Sequence, residues 1–132
     1  MSLQGIRGAT VADADQAQDI LVATQELLLA ILEANQTLRP EDLASVLFTV
    51  TEDLSATYPA LAARQMGWNQ VPMLCAREIP VPGSQPRCIR VLLHWNTRLP
   101  QQAVQHVYLK DAARLRPDWS GQPENALSGG VS

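Results

Sequence analysis

Apolar positions recur along this chain at two different periods, and the switches between them mark out its elements. Residues 3–11 read as a short strand, interrupted at Gly5 and Gly8, where a bulge or a close backbone approach is expected. Asp13 then offers a helix N-cap, with Gln16 three residues later in a capping-box pattern. The helix it opens runs to about residue 35 and carries Ala17, Ile20, Leu21, Leu27, Leu28, Ile31 and Leu32 on one face. Pro40, Glu41 and Asp42 predict a fresh helical turn. Residues 45–51 return to strand alternation, with Val46, Phe48 and Val50 opposite Leu47, Thr49 and Thr51. A short helix over 59–66 begins at proline and ends at Gly67. Residues 71–78 are extended, 80–84 form a loop, and 87–97 form a long strand. A helical turn at 100–103 and a last strand at 105–109 complete the pattern.

The order β-α-β-α-β-β-β with short connections predicts an α+β domain, a mixed sheet with helices on one face. The other sheet face then needs a cover, and a symmetric oligomer supplies it most simply. One domain over residues 1–120 accounts for the periodic sequence. From Gly121 onward the Gly, Ser, Pro and Asn content predicts a flexible tail over 121–132, which beside Arg116 is well placed to act as a loose lid.

Charge changes this picture in one respect. Residues 1–60 carry nine acids against Arg7 and Arg39, a balance of −7, and residues 61–132 carry eight bases against four acids, a balance of +4. An acidic helix face and a basic pocket would produce that split. A nucleic-acid binder would show a net basic domain, whereas this chain has a net charge of −3. Cys75 and Cys88 are too few for a disulfide framework, no secretory leader is evident, and no stretch is long enough to span a membrane. The expectation is a cytoplasmic protein with free thiols. His94 and His106 lack metal-ligand spacing and read as surface or packing residues.

Nine of the ten basic residues are arginine, and their positions carry the chemical information. Alternation in 87–97 puts Cys88, Arg90, Leu92 and His94 on one face, so Arg90 sits on a largely apolar strand. A guanidinium there requires a partner or a ligand, because an unpaired buried charge is very costly. Arg7, between glycines, and Arg116, before a proline, extend the idea to a pocket for a small polyanion. If the last strand pairs with 87–97, Tyr108 and Arg90 reach one cavity. Glu78 is the one acid between Leu54 and Lys110, and the sequence leaves open whether it is a salt-bridge partner of the arginines or part of a site.

Five segments, in this order, resemble the monofunctional trimeric chorismate mutases of the AroH class. They are Ile6-Arg7-Gly8-Ala9-Thr10, Cys75 with Glu78, Arg87-Cys88-Ile89-Arg90-Val91, His106-Val107-Tyr108-Leu109 and Leu115-Arg116-Pro117-Asp118. The resemblance implies a ferredoxin-like-related domain that forms a trimeric pseudo α/β-barrel, with an active site at each subunit interface. It also implies conversion of chorismate to prephenate in phenylalanine and tyrosine biosynthesis, with no cofactor and no metal. That rearrangement is intramolecular and pericyclic, so a protein contributes orientation and stabilisation of developing charge rather than a nucleophile or proton relay. The rate is therefore expected to depend little on pH while Glu78 is ionised.

By the same resemblance, Arg90 contacts the ether oxygen, Glu78 holds the ring hydroxyl, and Cys75 hydrogen-bonds nearby. Arg7 and Tyr108 anchor a carboxylate, Arg64 and Arg116 gather the dianion at the entrance, Tyr58 forms an aromatic wall, and Leu115 belongs to the substrate-binding set. The chain departs from the pattern at Tyr58, where phenylalanine is frequent, at Leu61, where some relatives carry lysine, and at Leu74, where a small polar residue occurs. These departures bear on substrate capture. Two alternatives stay open at this level: a trimeric enamine/imine deaminase-like enzyme, and a non-catalytic trimer that binds an aromatic-pathway metabolite. The chain carries no recognisable regulatory domain, so feedback control is not expected within it.

Overall fold

The computed structural model describes residues 1–120, and the expected 121–132 tail lies outside them. Five strands form one mixed sheet: β1 (Ser2–Val11), β2 (Leu43–Val50), β3 (Met73–Arg77), β4 (Cys88–Thr97) and β5 (Val107–Tyr108). Their spatial order is β3-β2-β4-β1-β5. β4 is central and pairs antiparallel with both β1 and β2, while β3 and β5 add parallel edges. Two helices, α1 (Ala17–Ala34) and α2 (Ala60–Gln65), belong to the layer over one face. In α1 the residues Ile20, Ala23, Thr24, Leu27, Leu28 and Ile31 are buried, a stripe at 3.6-residue spacing. Each large apolar member contributes about 1.5–3 kcal/mol by leaving water.

Alternation in β4 decides which residues meet those helices. Ile89, Val91, Leu93 and Trp95 are buried in the helix-side core. Cys88, Arg90, Leu92 and His94 take the other face, as their period-2 spacing predicts. That second face is closed at one end by the chain itself. A 3₁₀ segment, Lys110–Arg114, leads to Leu115 and a short α3 (Pro117–Ser120), neither of which the sequence pattern predicts. Ala112, Ala113 and Leu115 pack there with Ala9, Val11, Cys88 and Tyr108. Toward the other end Leu47 and Leu92 are half-buried, and Leu74 is 73% exposed.

Two expectations need correction. The helix starts at Ala17 after Gln16 and has no side-chain cap, so the Asp13–Gln16 capping box does not form. The nearby carboxylate that matters is Asp15, which accepts the Ser55 and Ala56 N–H groups at 2.8 and 3.0 Å and so ties the 51–59 loop to the entry of α1. The last strand is only two residues long and pairs with β1, not β4. Gly67, at φ 93°, ends α2 as expected, in a backbone conformation that favours glycine.

Candidate functional site

The centre of the site is one row of residues running across the sheet. Thr49 on β2 is the register partner of Arg90, Arg90 of Ala9, and Ala9 of Tyr108 on β5. Paired residues share a face, so Arg90 and Tyr108 project to the same side with only the small Ala9 between them. β5 thus brings Tyr108 to the Arg90 face without touching β4, which corrects the pairing but keeps the convergence.

Glu78 reaches this row from just beyond β3. Its N–H donates to the Val50 carbonyl at 2.9 Å, which turns the side chain toward Thr49 and Arg90. The Thr49 hydroxyl donates a short hydrogen bond to Glu78 Oε2. Arg90 Nε lies 3.4 Å from the same oxygen, close enough for an ion pair but without hydrogen-bond geometry. The Arg90 side chain is 19% exposed and that of Glu78 22%, so the pair sits in a partly desolvated setting. Arg90 Nε is itself buried and makes no hydrogen bond among the described residues. The structure therefore offers a held guanidinium with bonding capacity to spare, which is what recognition of an oxygen with developing charge requires.

The surroundings are basic. Arg7 lies one residue before Gly8 on β1, and the charges of Arg7 and Arg116 both act on His106. Arg116 is held by a two-pronged contact with Asp118, Nε to Oδ1 at 3.0 Å and Nη2 to Oδ2 at 2.7 Å. Leu115 is buried in the apolar cluster that backs Tyr108. Cys88 lies two residues before Arg90 on the same face, and burial pushes its thiol up to about 11 even though the Arg90 charge pulls the other way.

Cys75, Tyr58 and Arg64 form a second, separate group. Cys75 pairs with Phe48 and packs against the helix-side core, so within one chain it faces away from Arg90. With Tyr58 and Arg64 it lines an open cavity of about 510 Å³ at the β3 edge. Tyr58 is 68% exposed and Arg64 is also exposed. Six of the nine residues picked out from sequence therefore gather around Arg90, and three gather elsewhere. Sequence reading missed Thr49, the acceptor-directed partner of Glu78, and His106, whose Nδ1 accepts the Arg7 N–H at 3.0 Å. The period-2 relation of His106 to Tyr108 was the available signal for the second of these.

Known proteins resemble this chain over most of its length. Residues 3–119 match the family model for chorismate mutase type I. A chorismate mutase AroH of Thermus thermophilus is 59% identical over 116 residues, covering 88% of this chain and 95% of that protein. A chorismate mutase AroH of Bacillus subtilis (strain 168) is 44% identical over 121 residues, covering 91% of this chain and 94% of that protein. Among solved structures, a chorismate mutase from Clostridium thermocellum superposes with a TM-score of 0.79 at 46% identity, covering 82% of this chain and 96% of that one. The matched span includes every residue of the Arg90 row and of the Cys75 cavity, and the chain belongs to the chorismate mutase type I family.

Proposed function

We propose that this chorismate mutase rearranges chorismate to prephenate at a composite site, with Arg90 as the residue that stabilises the transition state. The observation that carries the reading is the buried Arg90 Nε, held 3.4 Å from Glu78 and lacking a hydrogen bond among the described residues. As the substrate's ether C–O bond breaks and the new C–C bond forms, negative charge grows on the ether oxygen and positive character on the ring. A preorganised guanidinium meets the first, and the Glu78 carboxylate faces the second and accepts from the ring hydroxyl. Arg7 and Tyr108 anchor a carboxylate, Arg116 draws in the dianion, and Leu115 supports Tyr108. No proton is transferred, and the residues act by orientation and field.

The site is completed by a second copy of the chain. Leu74, Leu47 and Leu92 form a register row that crosses the sheet toward Arg7, and much of that row is uncovered within one chain. Three chains with these faces turned inward would bury the row as a barrel. The β3 edge of one subunit, with Tyr58, Arg64 and Cys75, then meets the Arg90 group of the next. Tyr58 supplies a wall, Arg64 a further cation, and Cys75 a hydrogen bond. Leu61 and Leu74 change the rim and hence capture of the dianion, and the free thiols Cys75 and Cys88 suit a cytoplasmic location.

The test is direct turnover, following loss of the diene absorbance and identifying prephenate. Arg90→Ala should lower kcat by roughly 10²–10³, the effect of removing one preorganised donor, and Arg90→Lys should stay assembled but lose most activity. Arg90→Lys with near wild-type kcat would refute the assigned role. Mixing Arg90→Ala chains with Arg64→Ala chains should raise activity above that of either variant alone, since some interfaces then pair two intact halves. No recovery on subunit exchange would argue against the composite site.

A further inference from the structure

We infer that His106 is a positioning residue for Arg7: its neutral imidazole accepts the Arg7 backbone N–H and fixes the point from which that guanidinium reaches the substrate. The inference rests on the reading of Arg7 as a substrate anchor. β5 pairs with β1 only at Gly8 and Ala9, so regular strand pairing stops one residue short of Arg7. At that next position a side chain takes over, and the Arg7 amide donates to His106 Nδ1 at 3.0 Å. A backbone N–H can only donate. Nδ1 is therefore the unprotonated nitrogen, and the ring proton is on Nε2.

The surroundings preserve this state. Burial is the main force holding the His106 pKa below its ordinary 6.5, and the Arg116 and Arg7 charges add to it, while Asp118 opposes them. Among the described residues, the charged groups acting on the ring are Arg7 from β1 and Arg116 and Asp118 from the C-terminal segment. From α1 the nearby polar group is neutral, Asn35, whose side chain brackets the backbone of Gln105 through its N–H and its carbonyl. Tyr108, two residues on, projects to the same face as His106. The β5 strand is thus fixed on one side by Asn35 and on the other by its bonds to β1, and the imidazole is held against the Arg7 amide.

Protonation would reverse the interaction. Nδ1–H and the Arg7 N–H would be two donors pointing at each other, and a third cation would join Arg7 and Arg116. The anchor would shift, so substrate capture would suffer more than the chemical step, in which no proton moves. In the wild-type enzyme, kcat/KM should fall as the pH drops below 6.5, the ordinary histidine value, while kcat at saturation stays nearly flat.

The experiment compares wild type, His106→Asn and His106→Ala, with Arg7→Ala as the reference for the site itself. Asparagine places a carbonyl oxygen about where Nδ1 lies but does not titrate. It should keep kcat/KM within about threefold of wild type at neutral pH and abolish the acid limb below pH 6.5. His106→Ala should lose about tenfold in kcat/KM, mainly through KM. An acid limb unchanged in His106→Asn would overturn the inference, as would an Asn variant no better than Ala. If His106→Ala does not fold, the pH profiles of wild type and His106→Asn still decide. An Arg7→Ala variant with unchanged kinetics would instead overturn the role given to Arg7, a result distinguishable from failure at His106.

Discussion

Gly8→Ala tests how closely β1, α1 and β5 approach beneath the site. Gly8 lies between Arg7 and Ala9 and faces α1. A Cβ there would meet Ile31 Cδ1 at 2.9 Å, the Val107 carbonyl oxygen at 3.1 Å and Leu27 Cδ1 at 3.2 Å. Ile31 and Leu27 are fully buried in the main core, so neither methyl has open space to move into. The Val107 oxygen belongs to the backbone of β5 and moves only with the strand. Overpacking of this kind costs about 1–3 kcal/mol. Alanine also restricts the unfolded chain, which offsets about 0.4–1 kcal/mol. The net expectation is a loss of about 1–2 kcal/mol, or a fall in Tm of roughly 4–8 °C for a chain of this size. The displacement should also reach the site, because β5 carries Tyr108 and adjoins His106, so KM should rise along with the loss of stability. Thermal and urea unfolding at one fixed protein concentration, with steady-state kinetics on the same samples, measures both. Unchanged or increased stability would refute the reasoning, since it would mean that the three elements leave room for a methyl group.

Three further expectations concern the supports of the site. Asp53 accepts the Arg87 N–H and the Thr51 hydroxyl, and Thr51 Oγ1 accepts the Cys88 N–H, all at the entry to β4 where Arg87 adopts φ 50°. Asp53→Ala should therefore cost about 1–3 kcal/mol in denaturant unfolding, and a loss below about half a kcal/mol would show that the cluster is idle. The N–H groups of Ser55 and Ala56, with the Arg77 charge, lower the Asp15 pKa from its ordinary 3.8. Ionised Asp15 thus favours the folded state above 3.8, and that contribution is lost as the pH falls through the lowered folded value. Stability curves of wild type and Asp15→Asn should converge in acid and separate above it, and parallel curves would contradict the assignment. The Cys88 thiol, pushed up to about 11 by burial, should resist thiol reagents in the native protein at neutral pH and react on unfolding, which mass spectrometry of labelled peptides would reveal.

The parts of this architecture legible in the sequence are those whose two faces differ over many residues. β4 alternates for ten residues, and its two sides were separable because Ile89, Val91, Leu93 and Trp95 are uniformly apolar while Arg90 and His94 are not. The stripe on α1 was legible for the same reason, and the family's motifs marked candidate site residues without their geometry. Where a few residues are recruited by distant partners, the pattern carried less. Asp13 and Gln16 have the spacing of a capping box, yet the chain there bends so that Asp15 can bind the 55–56 backbone, a contact forty residues away that no local rule contains. β5 has two residues and therefore no period, so its partner was undetermined, and the role of His106 went with it. Cys75 and Glu78 illustrate a different limit. Their proximity in sequence suggested a unit, but alternation along β3 sends Cys75 to the helix side, and the chain leaves the strand before Glu78 turns to Thr49. The separation leaves Cys75 against the helix-side core at the β3 edge and Glu78 beside Arg90, which is why the proposed site draws its two halves from different copies of the chain.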